Sequence, residues 1–122
     1  MAEDPKRIVE LTDRAKLDIA VVDFSTASVW GEAQAERYLL FLRYEFEILA
    51  ENPTFGMPLN DFEGLRSYTA KLTPKRTAFG HRIVYRETKA GIRIIRVLHS
   101  ATNWKVWTFR SNTDGQLLEL VG

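Results

Sequence analysis

Cysteine is absent from the 122 residues of this chain. Disulfide bonds, thiol nucleophiles and cysteine-based zinc sites are thereby excluded. Histidine is scarce, with only His81 and His99. They do not fall at a helical HxxxH or HExxH spacing and no carboxylate cluster adjoins them, so no metal centre is expected. The seven glycines never form GxGxxG or GxxxxGK[ST], and no GxSxG nucleophile elbow occurs, so no cofactor is expected either. No apolar run approaches the roughly 20 residues that span a bilayer. The stretch Met1–Arg7 is polar and lacks the apolar region of a secretion signal. The expectation is a cytoplasmic protein without membrane contact.

What is present is an uneven charge distribution. The formal net charge is +1, yet the two signs are segregated. Met1 to Glu63 holds six Lys/Arg against thirteen Asp/Glu, whereas Gly64 to His99 holds nine Lys/Arg and one acid, Glu87. Such a divided field can orient a molecule towards an acidic partner, although sheets also carry arginine simply as a wetted face. The length suits one compact domain with one core, and the apolar content argues against global disorder.

Periodicity changes midway along the chain. Arg7–Thr12 is rich in β-branched residues and reads as a first strand, with Thr12 as N-cap of a following helix. Ala15, Ile19, Val22, Thr26 and Val29 follow at helical spacing up to Trp30-Gly31, where glycine can take a left-handed C-cap. A second helix shows the stripe Ala35, Leu39, Leu42, Phe46 and Leu49, broadened by Tyr38, Phe41 and Ile48, and stops at Asn52-Pro53. A link this short forces an antiparallel helical hairpin. After the loop Asn52–Pro58, strands are expected at Leu65–Leu72, His81–Thr88 and Gly91–His99. The basic stretch Thr73–Gly80 is a loop, and Lys89-Ala90-Gly91 a tight turn with glycine available for positive φ. The expected fold is α+β, in the order β-α-α-β-β-β, with the hairpin on one face of an antiparallel-rich sheet and the other face open. Residues 1–99 form the domain, and 100–122 an extension packed on it or leading away from it. Within the extension, Val106–Phe109 could add an edge strand, with Thr113-Asp114-Gly115 as a turn.

The chemistry on offer is a set of Arg, His and Tyr side chains on short strands: Arg66, Arg82, Tyr85, Arg86, Arg96 and His99. Such groups bind phosphates or acidic surfaces. They can also cleave RNA without metal, one group deprotonating the 2′-hydroxyl while cations stabilise the developing charge. Alternation divides them. Arg82, Val84 and Arg86 face away from Ile83 and Tyr85, and Arg93, Ile95, Val97 and His99 face away from Ile92, Ile94, Arg96 and Leu98. Only a subset can share one surface. The plainer alternative for each residue is structural, with Tyr85 packed in the core and His99 closing a strand end.

Several segments, in order, resemble ParE-type toxins of the ParE/RelE superfamily. They are Trp30-Gly31, Gln34-Ala35 with Tyr38, Leu49-Ala50-Glu51-Asn52-Pro53 with Gly56, Leu65-Arg66-Ser67-Tyr68, His81-Arg82-Ile83-Val84-Tyr85-Arg86 and Ile94-Ile95-Arg96-Val97-Leu98-His99. The resemblance implies a toxin silenced by a tightly bound cognate antitoxin, ParD-like or related. ParE-like members are linked to inhibition of DNA gyrase by binding, and RelE-like members to cleavage of mRNA on the ribosome. In YoeB-like ribonucleases the motif matched by His81–Tyr85 supplies a catalytic arginine, here Arg82, and the chain ends in a His-Tyr pair. His99 matches that histidine, but Ser100 stands in place of the tyrosine, and Asp61 lies only near the position of the carboxylate. The resemblance therefore favours a non-enzymatic gyrase inhibitor, with the mRNA endonuclease as alternative; Arg82 and His99 are catalytic candidates only under the latter. Arg66, Arg86, Arg96, Trp104 and Trp107 are candidate contacts to target or nucleic acid. The stretch after His99 is longer than is usual in the family, and its Trp104, Trp107 and Phe109 either finish the core or anchor an interface.

Overall fold

The computed structural model describes residues 6–72 and 80–100, together with the backbone of two further strands at 108–111 and 117–121. Strand β1 (Ile8–Leu11) leads into helix α1 (Asp13–Trp30) and helix α2 (Glu32–Glu51). Thr12 caps α1 as expected, its side chain accepting a hydrogen bond from the Ala15 amide at 3.1 Å. Its own hydroxyl donates to the Ile95 carbonyl at 3.0 Å, so the cap also fastens the helix start to the sheet. A single residue, Gly31, turns the chain between the helices. It has φ 92° and ψ 164°, a positive φ but with extended ψ, so it is not the left-handed helical cap anticipated. A side chain there would be strained, which is why glycine is needed.

After α2 the chain makes one 3-10 turn (Pro53–Phe55) and the short strand β2 (Met57–Pro58), which falls within the expected loop. Strands β3 (Leu65–Lys71), β4 (Gly80–Glu87) and β5 (Gly91–His99) follow at the expected places. The sheet order is β1-β5-β4-β3-β2. Its neighbours are antiparallel except β1, which runs parallel to β5. That pairing explains Gly91 better than the turn does. Gly91 has no positive φ. A Cβ on it would overlap the Ile8 carbonyl oxygen, so the close approach of β1 to β5 requires a bare Cα.

The hairpin covers one sheet face. Ala15 and Val22 of α1 and Tyr38, Leu42, Phe46 and Leu49 of α2 pack with Ile83, Tyr85, Ile92, Ile94 and Val97 in one core. Of the stripe anticipated on α1, Val29 is 69% exposed. The opposite face is not open throughout: Leu59, Leu65, Val84 and Ile95 form a second small core against Phe62. The connection between β2 and β3 thus folds over that face. Strand β5 departs from simple alternation. The β4–β5 register shifts between Val84 and Tyr85, so that Val84 faces Arg96 and Tyr85 faces Ile94. The extra residue is Ile95, a β-bulge. Before it, Ile92 and Ile94 point to the helices; after it, Val97 does, rather than sharing a face with Ile95.

Beyond His99 the strand expected at Val106–Phe109 is instead β6 (Thr108–Ser111), and it does not join the main sheet. It pairs antiparallel with β7 (Leu117–Val121) in a two-stranded sheet. The anticipated turn at Thr113-Asp114-Gly115 and the basic loop before Gly80 lie outside the described residues, as do Trp104 and Trp107.

Candidate functional site

The sheet separates two grooves of different chemistry. The first, of about 770 Å³, lies between the second half of α1, the start of α2 and the ends of β4 and β5. Its walls are mainly apolar, with Val21, Val29, Trp30, Leu72 and Leu98; Tyr38, His81 and His99 are among its polar groups, with Asp18, Ser25, Thr26 and Gln34 along the helices. Trp30 is 72% exposed and Val29 69%, an unusual amount of large apolar surface for one helix end.

The register His81↔His99 brings the two histidines side by side, with ring centroids 5.4 Å apart and nearly perpendicular planes. The Tyr38 hydroxyl reaches His81 Nδ1 at 2.6 Å from helix α2. Burial pushes the Tyr38 phenol up to about 12. Burial, aided by the neighbouring His99, pushes the His81 imidazole down to about 4. Both groups are therefore neutral near pH 7. A phenol that stays protonated and an imidazole this weakly basic form a hydrogen-bonded pair poor at moving protons at neutral pH.

The second groove, of about 440 Å³, is on the other side, beside the small core. Arg82 lines it together with Asp61, and its Nη1 donates to the Ser67 hydroxyl at 3.0 Å. Burial lowers the Arg82 pKa, though a guanidinium remains charged at any physiological pH. Phe55 and Met57 flank this groove and are exposed. Arg66 is occupied nearby, its Nη1 donating to the Gly56 carbonyl at 2.8 Å and so holding the turn after α2.

The candidates singled out from sequence are thus dispersed. Arg82 and His99 line different grooves. Arg86 stands opposite Arg93 on β5 and forms no ion pair among the described residues, whereas Arg93 Nε is engaged by Glu10 at 2.9 Å. Arg96, anticipated as a surface contact, is inside, only 3% exposed. Its Nε and Nη2 clasp the two carboxylate oxygens of Asp18 at 2.7 and 3.0 Å. Asp18 also accepts the Val97 amide at 2.9 Å, capping the edge of β5 where β1 has ended. Among the described residues Arg96 Nη1 is buried without a hydrogen-bond partner. Sequence reasoning missed Asp18 and the meeting of Tyr38 with His81. Asp18 lies 78 residues from Arg96 in the chain, and no local pattern ties them. No group of three or more metal-ligating side chains occurs among the described residues, and no helix among them is long and apolar enough to cross a membrane.

A sheet ordered β1-β5-β4-β3-β2 with a helical hairpin on one face has the topology of the RelE/ParE-like toxins. The family "ParE toxin of type II toxin-antitoxin system, parDE" matches residues 9–104. Toxin ParE1 of Caulobacter vibrioides is 33% identical over 93 residues, covering 76% of this chain and 88% of the relative. A solved structure described as the chromosomal ParDE TA system from P. aeruginosa superposes with a TM-score of 0.61 at 18% identity, over 76% of this chain and 95% of the other. The chain belongs to the ParE toxin family, within the ParE/RelE superfamily of type II toxins.

Proposed function

We propose that this toxin acts by binding DNA gyrase in the cytoplasm rather than by cutting RNA, and that a cognate antitoxin of the ParD kind holds it inactive. The observation that carries the reading is the separation of Arg82 from His99. A metal-independent ribonuclease needs its cations and its proton-transfer groups around one phosphate. Here the arginine and the histidine line grooves on opposite sides of the sheet, and His81, beside His99, is too weakly basic to help at neutral pH. The apolar groove walled by Val29, Trp30 and Leu72 suits the apolar face of an antitoxin helix. Strand β3 offers a further surface. The short strand β2 pairs with Arg66 and Ser67, and beyond Ser67 no strand among the described residues pairs with that side of β3, so an extended segment can add there.

One observation favours the alternative of a ribosome-dependent mRNA endonuclease: Asp61 and Arg82 share a groove, a carboxylate and a cation together. The two readings part in one experiment. Antitoxin-free protein is added to gyrase and supercoiled plasmid, and in parallel to translating ribosomes with a defined mRNA. Gyrase inhibition with intact mRNA is the expected result. Cleaved mRNA, abolished by Arg82→Ala in a folded protein, would replace the proposal with the nuclease.

A further inference from the structure

A third surface stands apart from both grooves, on the outer side of the helical hairpin. A groove of about 630 Å³ runs between α1 and α2, floored by Leu39 and walled by Phe24 and Leu40. Phe24 is 75% exposed, more than any other large apolar side chain among the described residues, and Leu40 is 59% exposed. The same ridge continues towards the base of the hairpin. Leu17 lies seven residues before Phe24 on α1 and Tyr44 four after Leu40 on α2, and they are 59% and 62% exposed. In an antiparallel hairpin these stripes run in the same direction, so the apolar strip extends over about 10 Å, about two turns of a docked helix.

The charge around this strip is one-sided. Asp23, Glu32 and Glu36 line the groove near the hairpin tip. All three are exposed, and none forms an ion pair among the described residues. Glu32 has a local reason to be there, because it sits in the first turn of α2, at the positive end of the helix dipole. Asp23 and Glu36 have none: Asp23 stands in the middle of α1 and Glu36 beyond the first turn of α2, so no helix end balances either charge. At the opposite end of the groove stands Arg43. The groove thus combines exposed anchors with an unbalanced negative end, and a cationic apolar ligand would satisfy both.

We propose that the outer groove of the helical hairpin seats a basic amphipathic helix of a partner protein. That helix lays an apolar stripe of about two turns over Phe24, Leu39 and Leu40 and places Lys or Arg against Asp23, Glu32 and Glu36. The surface is independent of the gyrase reading and of the apolar groove beside Trp30, so two partners of different chemistry could be held at once.

The test is binding of a labelled, roughly three-turn Leu/Lys helical peptide, followed by fluorescence anisotropy, with a Leu/Glu version of the same pattern as comparison. The wild-type protein is expected to bind the Leu/Lys peptide saturably at one site and the Leu/Glu peptide not at all. Phe24→Ser with Leu40→Ser, and separately Asp23→Lys with Glu36→Lys, should each weaken binding by roughly tenfold or more. Glu51→Lys with Glu63→Lys, equal in charge change but outside the groove, should leave it within about twofold, as should Leu72→Ser in the other groove. Circular dichroism confirms that each variant is folded. Equal loss from the Glu51/Glu63 pair would mean diffuse attraction and would overturn the site. So would equal binding of the Leu/Glu peptide, or full binding by the Phe24/Leu40 variant. A wild-type dimer in sedimentation that the Phe24/Leu40 variant abolishes would assign the groove to a second copy of the chain instead.

Discussion

Replacing Asp18 by alanine removes three hydrogen bonds at once, two from the Arg96 guanidinium and one from the Val97 amide. The guanidinium cannot escape to water, since its side chain is 4% exposed and its Nη1 is already unpaired among the described residues. Taking one member of a buried ion pair away leaves the other charge uncompensated, a loss of about 3–5 kcal/mol. The orphaned Val97 amide adds to the same disruption and is not independent of it. A natural domain holds only about 5–15 kcal/mol of stability, so Asp18→Ala should leave the fold marginal. In urea, with a slope of about 2 kcal/mol per M, the midpoint should fall by about 2 M. The double variant Asp18→Asn with Arg96→Met provides the internal control. Asparagine keeps an acceptor for the Val97 amide, and methionine removes the cation, so most of the loss should be regained. If Asp18→Ala shifts the midpoint by less than about 0.5 M, or the double variant is as unstable as the single one, the reasoning is refuted.

Three further outcomes are expected. Tyr85 is fully buried, and its hydroxyl donates to the Pro53 carbonyl at 2.6 Å and accepts the Gly56 amide at 2.9 Å. Tyr85→Phe should therefore cost about 1–3 kcal/mol in a urea titration, and no measurable change would show that the turn finds other partners. Gly91→Ala should prevent β1 from docking on β5, seen as accelerated amide exchange at Ile8–Leu11, because the new Cβ would overlap the Ile8 backbone. His81 has a folded pKa of about 4 against 6.5 as its ordinary value. The unfolded chain thus binds its proton first as pH falls, and the stabilisation, complete above pH 6.5, is lost between 6.5 and 4. After discounting for solvent around a half-buried ring, the loss is about 1–2 kcal/mol. Comparing urea midpoints at pH 7.5 and 4.5 for wild type and His81→Gln isolates it, and equal pH dependence in the two would contradict the assignment.

Local periodicity makes the architecture legible in the linear chain. The α2 stripe of Ala35, Leu42, Phe46 and Leu49 is the one that is buried, and the Thr12 cap and the three long strands lie where their signals stand. These features depend on neighbours within one turn or one pleat, and that information is local. The function follows the same route to the level of the family, since the motifs from Trp30-Gly31 to His99 stand in order along the chain.

The site was decided elsewhere. Strict alternation along β5 puts Val97 with Ile95 and Arg96 with Ile92 and Ile94. One bulge at Ile95 sends Val97 to the helices, and Asp18 draws the guanidinium into a buried pair. Whether a strand bulges depends on how its neighbour and the covering helix pack, and nothing within five residues of Arg96 encodes that. The outer groove beside Phe24 is equally hidden, because helical spacing shows that an apolar residue lies on some face but not whether another element covers it. Sequence by itself determined which elements form and in what order. The tertiary structure decided which side chains meet, because contacts across 78 residues of chain are selected by packing and charge compensation in the folded state.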